Sequence, residues 1–142
     1  MDERWLAYLY YFNVEKDYFE CHEYGEALWL DSGRPEALKG MIQAAVCLYH
    51  LENGNVRGGY AMWLRGRQYL QPVLPVYMGV DVAQICAQID EVFQRIPQTW
   101  RDKVVASGDV RTLQLPGVQL RVADPELAHQ LTRFTPKDAT SR

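Results

Sequence analysis

Met41-Ile-Gln-Ala-Ala-Val-Cys-Leu-Tyr49 decides the fold. The run is too long for one strand and apolar nearly all the way round. A helix of that kind is normally the buried centre of a bundle. Pro35 sits well for its first turn, after the helix-stopping pair Ser32-Gly33, and the pattern continues to about Leu51. Asn53-Gly54-Asn55 makes a tight turn, with Asn55 placed to cap a fourth helix over about Val56 to Leu70.

Upstream, Trp5, Leu6, Leu9 and Phe12 mark an apolar stripe on a first helix, about Asp2 to Phe12, which Asn13 interrupts. A second helix runs from about Glu15 to Leu30. Downstream, Pro72 and Pro75 end the fourth helix, and Gln71 to Val80 reads as an irregular connection. Asp81 caps a fifth helix, Val82 to Arg95, with Val82, Ile85, Ile89, Val92 and Ile96 facing inward. Arg111 to Leu115 and Val118 to Val122 alternate with period two around Pro116-Gly117, which predicts a small β-hairpin. Asp124-Pro125 starts a short last helix through Arg133, and Thr135 to Arg142 is polar and frayed. The expectation is an all-α antiparallel bundle of about five helices over residues 1–96. A C-terminal extension, residues 97–142, packs its hairpin and short helix on that bundle.

Composition bounds the function. The chain has 142 residues, 48% hydrophobic and 23% charged, with net charge -3. That is one ordinary globular domain. The acidic balance argues against a nucleic-acid platform. Trp63, Arg65, Arg67 and Tyr69 read as an ordinary solvated face whose arginines cover aromatic surface. No apolar run is long enough to span a membrane. The acidic N-terminus and three cysteines without a CxxC suggest a cytoplasmic protein with no disulfide framework.

The informative polar residues lie on the second and third helices. His22, Glu26 and Trp29 share one helix face at i, i+4 and i+7, next to a stripe of Phe19, Glu23, Glu26 and Leu30. Phe19, Trp29 and Leu30 should turn this face inward and carry the charged groups with them. On the third helix, Gln43 and His50 share a side of an otherwise apolar run. Sequential helices usually pack together, so the two polar stripes should meet. The expected cluster is His22, Glu23, Glu26, Gln43 and His50, joined by Tyr49 and Asn55 and floored by Trp29.

Three readings stand for this cluster. It is a closed hydrogen-bond network that fixes helix register. Or it is a divalent-metal site with His22, Glu26 and His50 as ligands and Glu23 behind them. Or it is a metal-free pocket for a small molecule, with Trp29, Gln43, Tyr49 and Asn55 binding, Glu23 or Glu26 as base and His22 or His50 as acid. The third reading extends to hydrolytic or acid–base chemistry on that molecule. The first leaves a scaffold or interaction module with no catalysis. His22-Glu23-x-x-Glu26 lacks the second histidine of a zincin helix, no phosphate loop is present, and the few serines fall in predicted loops.

Taken together, Phe12-Asn13, Tyr18-Phe19-Glu20-Cys21-His22-Glu23-x-x-Glu26-x-x-Trp29, Leu38-Lys39-Gly40-Met41-Ile42-Gln43-Ala44-Ala45 and Tyr49-His50-Leu51-x-x-Gly54-Asn55-x-x-Gly58 resemble the pattern of domain-of-unknown-function family 309. The resemblance covers about Phe12 to Leu70. It implies a compact all-helical fold and places His22, Glu23, Glu26, Trp29, Gln43, His50 and Asn55 in the family pattern. It implies no activity. Gly25, where an aliphatic residue is expected, admits close approach of a helix or a ligand.

Overall fold

The computed structural model describes residues 1–136; residues 137–142, most of the polar end, lie outside the described part. Seven α-helices are described, and the fold is all-α with one small hairpin. Helix α1, Glu3–Tyr10, begins at Asp2, whose carboxylate accepts from the Arg4 N–H, and buries Trp5, Leu6, Tyr8 and Leu9. It runs into a π-helical turn at Tyr11–Glu15, closed by Lys16 in the left-handed conformation. Asn13 within that turn is bonded to the Leu120 backbone in both directions, each at 2.8 Å.

Helix α2, Tyr18–Asp31, is capped by Asp17. Its buried residues are Tyr18, Cys21, Gly25 and Leu28. This corrects the expected inward face by one position: Phe19 and Leu30 are each 48% exposed. The reason is steric. A β carbon on Gly25 would stand 2.9 Å from Ile42 Cγ1 and 3.1 Å from Tyr8 Cδ2. Small residues therefore choose the face on which α1 and α3 come closest, and the larger apolar side chains are left on the flanks.

Helix α3, Glu36–Glu52, is the buried centre, packed mainly between α2 and α4. Helix α4, Val56–Leu70, is capped by Asn55, which accepts from the Gly58 N–H at 2.9 Å. Trp63 departs from the expected solvated face. It is buried, and its indole N–H donates to Asp90, which Arg67 also holds. Helix α5, Val82–Gln94, starts at the Asp81 cap as expected.

The hairpin is not where alternation placed it. Strands β1, Val76–Tyr77, and β2, Val80–Asp81, pair antiparallel across Met78-Gly79, both at positive φ, inside the stretch expected to be irregular. Around Pro116-Gly117 there is none: helix α6, Ser107–Thr112, takes up the start of the supposed first arm. The alternation of the second arm is nevertheless real. Val118 and Leu120 are buried, while the backbone pairs with distant partners: Asn13 at Leu120, Asp81 at Arg121 and Val80 at Val122. Helix α7, Pro125–Arg133, starts at the Asp124 cap. No described helix is long and apolar enough to cross a membrane.

Candidate functional site

The seam between α2 and α3 holds the polar residues. His22 and Glu26, one turn apart on α2, meet with Nε2 and Oε2 at 2.9 Å. Their side chains are 25% and 49% exposed, so the pair stands at a rim and not in a dry interior. Glu23 approaches His22 Nδ1 only to 3.6 Å, beyond a good hydrogen bond, and lines neither groove described below.

A groove of about 280 Å³ opens beside the pair. Its walls are His22, Glu26 and Trp29 from α2, and Lys39, Ile42, Gln43 and Val46 from α3, with Met62 of α4 beneath. A smaller recess of about 160 Å³ adjoins it at His22 and Val46 and reaches Phe19, Tyr49 and His50. The rings of Phe19 and Tyr49 lie 5.7 Å apart there. His50 Nδ1 is 3.3 Å from the Asn55 amide nitrogen. Asn55 thus supports His50 from behind while its oxygen caps α4.

The expected cluster is therefore split in two. His22, Glu26, Trp29 and Gln43 converge on the groove; His50 and Tyr49 line the adjoining recess; Asn55 is a helix cap; Glu23 lines neither and stands 3.6 Å from His22 Nδ1. Among the described residues no group of three His, Cys, Asp or Glu is placed to hold a metal ion. The set His22, Glu26 and His50 is not gathered, because His50 lies two helical turns beyond Gln43 and engages Asn55.

Two buried polar atoms at the groove walls have no partner: Gln43 Oε1 and Trp29 Nε1. Gln43 is 8% exposed, and its oxygen would lie 3.5 Å from a β carbon on Gly66. Among the described residues these two atoms have no hydrogen-bond partner. Cys21, next to His22 in sequence, points the other way. It is fully buried against the Tyr8 carbonyl, and burial pushes its thiol well above the ordinary range, so it is no nucleophile.

Sequence reasoning missed Lys39 and Arg34. Lys39 Nζ lies 5.7 Å from the Trp29 ring centre and 5.3 Å from that of Tyr69. Arg34 Cζ lies 5.6 Å from the Trp29 ring centre. The signal for Lys39 was present, since it stands at i-4 from Gln43 on the same face of α3. Arg34 is placed by the turn after α2, where its N–H donates to the Trp29 carbonyl at 2.9 Å.

Residues 5–62 match the family described as "Domain of unknown function (DUF309)". The chain is also similar to "Uncharacterized protein YpuF" of Bacillus subtilis (strain 168), 30% identical over 97 residues, which is 65% of this chain and 56% of that protein. The chain thus spans little more than half the length of that relative. No solved structure matches. Every residue lining the groove falls inside the stretch, residues 5–62, that is similar to the DUF309 family.

Proposed function

We propose that the α2–α3 groove binds a small molecule and that the His22–Glu26 pair exchanges a proton with it. The observation that carries this reading is the His22–Glu26 imidazole–carboxylate pair on the wall of the groove, with two unpartnered polar atoms, Gln43 Oε1 and Trp29 Nε1, buried behind those walls. A polar cluster kept only for helix register would be expected to satisfy its own members, because each orphan costs about 1–3 kcal/mol. The Nε2–Oε2 contact sets an imidazole and a carboxylate side by side, while Nδ1 of His22 lies 3.6 Å from Glu23. That arrangement suits acid–base chemistry on a bound molecule. A cytoplasmic setting accords with three free, buried cysteines.

The test is a fragment screen by NMR on the intact chain, read at the Gln43 side-chain amide and the Trp29 indole N–H. The reading expects fragments that shift both signals and that bind about tenfold or more weakly to His22→Ala and Gln43→Met. Fragments that leave both signals unmoved, or a complete lack of hits, would overturn it in favour of a scaffold.

A further inference from the structure

We propose that the groove's ligand is a small flat molecule with a carboxylate or phosphate group, stacked near Trp29 with its anionic group held by Arg34 and Lys39. The inference rests on the groove reading above and names the class of molecule the groove takes.

The two side chains over the Trp29 ring are cations, Lys39 from the groove wall and Arg34 from outside its lining. The indole Nε1–H has no acceptor, and the Arg34 and Lys39 cations lie 5.6 Å and 5.7 Å from the ring centre. None of the three can accept a hydrogen bond. Among the described residues, neither cation lies within ion-pair distance of a carboxylate, unlike Arg4, held by Asp2 and Asp31, and Arg67, held by Asp90. Two like charges at one ring, against the single carboxylate of Glu26 on the groove wall, leave a place where an anion is favoured.

Arg34 is also held in an uncommon backbone conformation, with φ of 60°. Residues other than glycine adopt it rarely; here it belongs to the turn that ends α2, where the Arg34 N–H donates to the Trp29 carbonyl. The remaining walls fix the rest of the ligand. Ile42, Val46 and Met62 offer an apolar floor, which suits a ring. Glu26 is an acceptor, which suits an N–H or O–H on the ligand's far edge. About 280 Å³ lies at the lower edge of the usual range for ligand sites, so a single ring system fits and a dinucleotide does not.

The test titrates three probes into the full chain: indole-3-carboxylate, phenyl phosphate and the neutral indole-3-carboxamide. Binding is followed at the Trp29 indole and Gln43 amide signals. The proposal expects one or both anions to bind about tenfold or more tightly than the carboxamide, and the tighter anion identifies the group recognised. Lys39→Gln should remove most of that preference. Arg34→Asn, which tolerates the left-handed backbone, combined with Lys39→Gln should remove the rest. The preference should shrink as salt is raised from 50 to 500 mM. If the carboxamide shifts the groove signals and binds as tightly as the anions, anion recognition is wrong and the groove reading stands. If none of the three moves those signals, the proposal falls; if the fragment screen also fails there, the groove reading falls with it.

Discussion

Replacing Gln43 with methionine should make the protein more stable, an unusual outcome for a buried residue of a central helix. Gln43 is 8% exposed, and its amide oxygen is sealed beside Gly66 with no donor to meet it. A buried acceptor in that state costs about 1–3 kcal/mol. Methionine is unbranched, close to glutamine in length and nearly equal to it in helix propensity, so the exchange removes the orphan with little else changed. Unfolding entropy scales as roughly 2.1 cal/mol/K per residue, which gives this chain about 0.3 kcal/mol/K at its midpoint. The gain then corresponds to a rise of about 3–10 °C in Tm. Calorimetry reads it directly, and urea titration with an unchanged slope would show that the native state, not the compactness of the unfolded chain, has changed. A fall in Tm of about 2 °C or more would refute the reasoning. It would mean that the amide is satisfied in solution and that the cluster is a structural network.

Other perturbations probe how the scaffold holds the groove. Asn13→Ala removes both bonds to Leu120 and should cost about 1–3 kcal/mol, with faster hydrogen exchange at the Leu120 amide; unchanged exchange there would show that Asn13 does not fasten the C-terminal segment. Gly25→Ala gains about 1 kcal/mol of helix propensity but forces Ile42 and Tyr8 aside, so net destabilisation should appear in denaturant titration; a more stable variant would contradict the close α1–α2–α3 approach. Burial, and then the nearby charge of Asp17, push the Glu52 carboxyl above its ordinary value. The folded state therefore holds that proton more tightly, and stability falls as pH rises from the ordinary carboxyl range through the raised one. Glu52→Gln should accordingly raise Tm at pH 7 and make little difference at pH 3.5; an equal effect at both would show that charge is not the cause.

Much of the fold was legible because its boundaries are written in residues with one strong preference. Asn55 and the prolines after Leu70 delimit α4, and Asp81 and Asp124 cap α5 and α7. The apolar centre of α3 announced its burial. The hairpin was misplaced because alternation reports which side of a strand is buried and not which neighbour it pairs with. Val118 to Val122 alternates as read, yet its partners are Asn13, Val80 and Asp81. The true strands have two residues each, too short to show a period. At the site, the shared face of His22, Glu26 and Trp29 and its meeting with Gln43 followed from helical spacing. Its depth did not. Phe19 and Leu30 point to a deeper face, whereas close packing at Cys21 and Gly25 sets the rotation of α2. Lys39 and Arg34 escaped notice because a lone cation on a helix or turn resembles ordinary surface until the aromatic ring beside it is known.

The most direct measurement of the central claim is a crystallographic fragment soak of the intact chain. The account predicts electron density between α2 and α3, in contact with Trp29 and within hydrogen-bond reach of Gln43 or the His22–Glu26 pair. Fragments scattered elsewhere, with the groove closed and the Gln43 oxygen bonded to a protein donor, would contradict it.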